Sequence, residues 1–87
     1  MTEKAIYKIL SMTLMNEFPE IEDIRVWFDG YDDYEIKRYY VSIGITPDNM
    51  KKVDRVDIKR KVNEYCSYVL SSNSESIKIL FFNPEDF

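Results

Sequence analysis

Apolar residues return at helical spacing near the start of the chain: Ala5, Ile6, Ile9, Leu10, Thr13 and Leu14. That spacing predicts a helix over residues 3–17. Met12 and Met15 widen its apolar stripe, Tyr7 falls at the margin, and Pro19 stops it. The period then shortens to two. In EDIRVWFD, Ile24, Val26 and Phe28 share one face, with Arg25 and Trp27 on the other. In KRYYVSIGI, Tyr39, Val41, Ile43 and Ile45 share a face, opposite Arg38, Tyr40, Ser42 and Gly44. Both segments read as strands.

How these strands meet decides what the stretch between them is. Asp29-Gly30 is by itself a strong two-residue hairpin signal. As the turn, it would set Val26 opposite Asp33 and Ile24 opposite Glu35, driving two carboxylates into the core at a cost of several kcal/mol each. A slip of one residue would turn a whole face outward. Pairing Phe28, Val26 and Ile24 with Tyr39, Val41 and Ile43 avoids both problems. DGYDDYEI, residues 29–36, is then expected to be a protruding loop of about eight residues, longer than most hairpin loops.

A second helix is predicted over residues 54–71. Asp54 is placed as its N-cap, with Asp57 three residues on, and Val53 and Ile58 occupy the positions of a hydrophobic staple. Ile58, Val62, Tyr65, Cys66 and Val69 form its inward stripe, and SSNS ends it. The last strand, SIKILFF, puts Ile77, Ile79 and Phe81 on one face and Lys78, Leu80 and Phe82 on the other, before a short tail, NPEDF. The expected fold is a single α+β domain, residues 1–87, of order α-β-β-α-β. Two helices cover one face of a three-stranded mixed sheet. The place of the third strand is left open.

The second sheet face would then carry Arg25, Trp27, Tyr40, Ser42, Lys78, Leu80 and Phe82. Large aromatics gathered on a face with no helix over it mark an interface. The loop Asp29–Glu35 holds four carboxylates and two tyrosines. Tyr31 and Tyr34 offer wide contact area, while Asp32, Asp33 and Glu35 suit arginines or lysines on a partner. The plain alternative is a solvated loop. A calcium site lacks the EF-hand spacing, since Gly30 stands second.

Charge sharpens this. Net charge is −4, which does not favour nucleic acid in general. From Glu17 to Glu35, eight acids (Glu17, Glu20, Glu22, Asp23, Asp29, Asp32, Asp33, Glu35) stand against one base, Arg25. Six bases (Lys51, Lys52, Arg55, Lys59, Arg60, Lys61) cluster around the second helix with Asp54 and Asp57. There is no histidine and one cysteine, Cys66. Internal disulfides, His-based nucleophilic catalysis and the commonest transition-metal ligand are therefore excluded. Cys66, on the inward stripe, reads as a buried inert thiol. There is no Gly-rich phosphate loop, no CxxC, and no nucleophile–base motif. No apolar run approaches the ~20 residues of a membrane span, and the start of the chain lacks a signal-peptide core. A cytoplasmic location is expected.

The element order resembles that of ferredoxin-like regulatory domains, KH-type RNA-binding domains and BON-like domains over most of the chain. The resemblance is one of pattern. The GxxG clamp loop of KH domains is missing, as are the histidines typical of metal-sensing ferredoxin-like domains, and no family is assigned. The expected function is a non-enzymatic protein-interaction module without catalytic, metal or cofactor residues. A small inhibitor or immunity-type protein that binds a basic partner fits this composition. Its contact set would be Trp27, Tyr31, Asp32, Asp33, Tyr34, Glu35, Tyr40 and Phe82. Self-association through the sheet face is a further expectation. Single-stranded nucleic acid stacked on Trp27, Tyr40 and Phe82 is the alternative.

Overall fold

A computed structural model describes residues 3–70 and 75–86. The elements run α1 (Glu3–Glu17), β1 (Asp23–Tyr31), β2 (Lys37–Gly44), α2 (Pro47–Met50), α3 (Arg55–Cys66) and β3 (Glu75–Phe82), then a 3-10 turn at Pro84–Asp86. It is an α+β domain in which α1 and α3 pack on one face of a mixed three-stranded sheet. The strand order is β1-β2-β3, with β2 antiparallel to β1 and parallel to β3. This settles the third strand: it lies beside β2, at an edge.

The register is the one that kept carboxylates out of the core. Ile24 pairs with Ile43, Val26 with Val41 and Phe28 with Tyr39. The inner face of the sheet meets Ile6, Leu10 and Leu14 of α1 and Ile58, Val62 and Cys66 of α3, all fully buried. Burial pushes the Cys66 thiol up to about 12, which leaves it protonated and unreactive at neutral pH.

Three boundaries differ from expectation. First, β1 does not stop at Asp29. Phe28 faces Tyr39 and Tyr31 faces Lys37, so Asp29 and Gly30 together stand opposite Arg38. This is a β-bulge, and it carries pairing two residues further. Gly30 sits at φ +89° with nothing within 4 Å of where a Cβ would lie. Backbone sign, not space, therefore demands glycine there. Gly30→Ala is expected to cost about 1–2 kcal/mol, measured as a lower urea midpoint at unchanged slope.

Second, a short helix, α2, follows β2. The Thr46 hydroxyl accepts from Asn49 N at its N-cap, and Pro47 opens its first turn. Third, α3 ends at Cys66, not near residue 71. The Val69 and Leu70 amides turn back to the Cys66 carbonyl at 3.0 and 2.9 Å, so Val69 lies in a turn, half-buried, and Leu70 is the residue there that packs against the core. The expected terminator SSNS lies outside the described residues. The start of α3 is as read: Asp54 Oδ1 accepts from Val56 N at 2.9 Å.

A polar clasp joins the two long helices. The Tyr65 hydroxyl donates to Glu17, and Lys61 Nζ lies 3.3 Å from Glu17 Oε1. The Tyr65 bond, then Lys61, holds the Glu17 carboxyl below its ordinary range, while Tyr65 is pushed up to about 12. The Glu17 contribution to stability is thus present above the unfolded carboxylate pKa and is lost as pH falls through the lowered folded value. The Tyr65 contribution is present below the unfolded tyrosine pKa and is lost as pH rises toward about 12. Tyr65→Phe is expected to return Glu17 toward its ordinary titration, which a carbon-detected NMR titration of its carboxyl will show.

Candidate interaction surface

The face of the sheet away from the helices is built from three cross-strand rows. They are Trp27–Tyr40–Lys78, Arg25–Ser42–Leu80 and Asp23–Gly44–Phe82. Alternation along each strand places these side chains on one side, and no helix among the described residues covers them. Trp27 and Tyr40 stack with ring centroids 5.4 Å apart and planes 16° apart. Trp27 stays 39% exposed and Leu80 36%.

The centre of this face is low. Ser42 is only 8% exposed, and Gly44 bears no side chain. The Phe82 ring lies over Gly44: a Cβ there would come within 2.8 Å of Phe82 Cζ. The Arg25 guanidinium sits 4.6 Å from the centre of the same ring, and Asp23 Oδ2 holds Arg25 Nε at 3.0 Å. Cation–π attraction and the ion pair thus pin the Phe82 ring flat and half-buried. Trp27, Tyr40 and Leu80 form the accessible apolar ridge beside it.

The expected contact residues therefore divide. Trp27, Tyr40 and Phe82 share the open face. Tyr31 does not join them, because the bulge returns it to the helix side. There its ring meets Phe28 edge-on at 5.6 Å, and Phe28 in turn meets Tyr39 at 5.5 Å. Phe28 itself, read as core, is 39% exposed. Glu3, at the start of the described α1, reaches it: Glu3 Oε1 accepts from Phe28 N at 3.0 Å. Period-two alternation paired Phe28 with Tyr39 but could not bring Tyr31 to them, because a bulge resets the alternation.

The loop is shorter than expected, since Tyr31 belongs to β1. Asp32 closes it. Asp32 N donates to Ile36 O, and Asp32 Oδ1 accepts from Tyr34 N at 2.8 Å and Ile36 N at 3.0 Å. This is an Asx-type use of the side chain. Glu35 takes a left-handed backbone, φ 62°. Asp33, Tyr34 and Glu35 point to solvent, with Tyr34 85% exposed. Asp29 is engaged with Arg38 at 3.6 Å. The outward acids of the hairpin tip are thus Asp33 and Glu35.

Among the described residues no cluster of His, Cys, Asp or Glu is arranged to hold a metal ion, and no helix is long and apolar enough to cross a membrane.

The fold has a counterpart among solved structures. The MamB CTD magnetosome protein of Desulfamplus magnetovallimortis BW-1 superposes with a TM-score of 0.59 over 92% of this chain and 89% of that one, at 18% identity. At that identity the likeness is one of fold. No protein-family model matches the chain, and no curated protein matches it by sequence.

Proposed function

We propose that this domain is a non-enzymatic interaction module that binds a protein partner through the open face of its sheet. The observation that carries the reading is the Trp27–Tyr40 stack beside Leu80, left uncovered on a sheet whose other face is already closed by α1 and α3. Rigid aromatic anchors on an open face are the usual centres of binding energy. The hairpin tip adds Asp33, Tyr34 and Glu35, which suits a partner with basic groups at the rim, as an inhibitor or immunity-type protein would need. Asp32 is not part of this contact, because its carboxylate holds the turn.

The experiment is capture from the source cell extract with wild-type and variant baits, after the solution mass has been measured by light scattering. Asp33→Lys with Glu35→Lys is expected to slow association with a basic partner roughly tenfold or more at low salt. The circular dichroism spectrum should not change. Binding that ignores both this pair and Trp27→Ala would overturn the reading. A stable dimer whose interface is lost in Trp27→Ala would give the open face to a second copy of the chain.

Arg25 and Lys78 on the aromatic face support a second reading, single-stranded nucleic acid. The stacking of Trp27 on Tyr40 weakens it, since each ring turns one face to the other and not to a base. Titration of tryptophan fluorescence with oligonucleotides at two salt concentrations separates the two readings.

A further inference from the structure

The two edges of the sheet differ in kind. At the β1 edge, the strand is bulged at Asp29-Gly30, and the outward amide of Phe28 is taken by the Glu3 carboxylate at 3.0 Å. Bulges and capped amides are how proteins protect an edge from adding another strand. The β3 edge has neither device. Its register with β2 runs unbroken from Glu75 to Phe82, it contains no proline, and no described strand pairs with its far side. Alternate N–H and C=O groups of an edge strand point outward, unpaired within the sheet.

Glu75, at the start of the strand, turns its carboxylate toward Tyr39, and the side chains that flank the rest of this edge are basic. From α3, one turn apart, Arg55 and Lys59 reach over the Phe81 ring, with the guanidinium carbon 5.7 Å and the ammonium 5.9 Å from its centre. Lys78 stands exposed on the other side of the strand. Among the described residues, no carboxylate forms an ion pair with any of these three. At the C-terminal end of β3, an open pocket of about 250 Å3 is lined by Met50, Arg55, Phe81, Phe82 and Asn83 among others.

We propose that β3 takes an extended acidic peptide segment of a partner protein as a fourth strand. Its carboxylates would meet Arg55, Lys59 and Lys78, and one apolar side chain would enter the pocket beside Met50. Main-chain pairing supplies affinity in such strand addition, while side-chain pockets and charge supply selection. A second copy of this chain fits less well. Pairing β3 with itself would bring two sets of Arg55, Lys59 and Lys78 together, and the acidic β1 edge is blocked by its bulge and by Glu3. The surface borders the open face and shares Lys78 and Phe82 with it but not Trp27 or Tyr40, so Trp27→Ala separates it from the reading above.

The test uses fluorescein-labelled peptides of about ten residues, a strand's length and more. One alternates glutamate and valine; the other alternates lysine and valine. Fluorescence anisotropy with the whole chain is expected to show saturable binding of the acidic peptide alone, weakening with salt. Arg55→Glu with Lys59→Glu, both at exposed positions, should weaken it roughly tenfold or more, and Trp27→Ala should not. Methylating alternate backbone nitrogens of the acidic peptide should abolish binding while keeping its charge. Equal binding of both peptides, indifference to backbone methylation, or indifference to the Arg55/Lys59 variant would each overturn the proposal. So would a dimer that the same variant dissolves, which would assign the edge to a second copy.

Discussion

Trp27→Ala is expected to weaken the partner complex by about 2 kcal/mol or more, roughly thirtyfold in Kd. Trp27 is the large ring that the open face leaves most accessible, and it is held in place by Tyr40 below 6 Å, at 5.4 Å between centroids. A ring fixed by a neighbour pays little entropy on binding. The substitution also removes a cross-strand aromatic pair, worth about 0.5–1.5 kcal/mol to the fold. The domain should therefore stay folded while losing its partner. Calorimetry of binding beside urea denaturation of the free domain checks both halves. A loss of binding no larger than the loss of stability would mean that Trp27 serves the sheet and not a partner.

Ile43→Ala is expected to have the largest effect on stability. Ile43 lies on the central strand, fully buried, with Ile24 on one side and Phe81 on the other. Truncating a buried isoleucine costs about 2–5 kcal/mol, more where the walls cannot close on the cavity. Its own strand is bonded on both sides and the helices above it are already in contact with each other, so little collapse is expected. Native domains have only about 5–15 kcal/mol in hand, and a small one buries a modest fraction of its surface. The variant should be close to unfolding at ambient temperature. Ile77→Ala, at a half-buried edge position, should cost distinctly less. Urea midpoints at constant slope measure the contrast; equal losses would place the centre of the core elsewhere.

Much of the molecule was legible in the one-dimensional pattern because burial is an intolerant test. The β1–β2 register followed from excluding Asp33 and Glu35 from the core, and no tertiary information was needed to reject Asp29-Gly30 as the turn. The open face followed from the same parity: Trp27, Tyr40 and Phe82 must lie together once Ile24, Val41 and Ile79 face inward. The N-cap of α3 was readable in Asp54 because capping is a local hydrogen bond.

What the sequence left undecided turns on contacts between distant residues. The bulge at Asp29-Gly30 breaks period two, so the side on which Tyr31 emerges depends on pairing with Lys37, which only the hairpin establishes. The contact of Phe28 with Glu3 depends on how α1 lies beside β1, and the closing role of Asp32 on amides that only the finished turn presents. The inward stripe of Ile58, Val62 and Cys66 was in the sequence. That α3 delivers Arg55 and Lys59 to the flank of β3 was not, because parallel pairing of β2 with β3 is set by packing across the whole sheet. Hydrophobic periodicity thus determined the faces and the register of this protein. The tertiary structure alone decided its edges, because an edge is defined by what fails to pair there, and no local pattern records that.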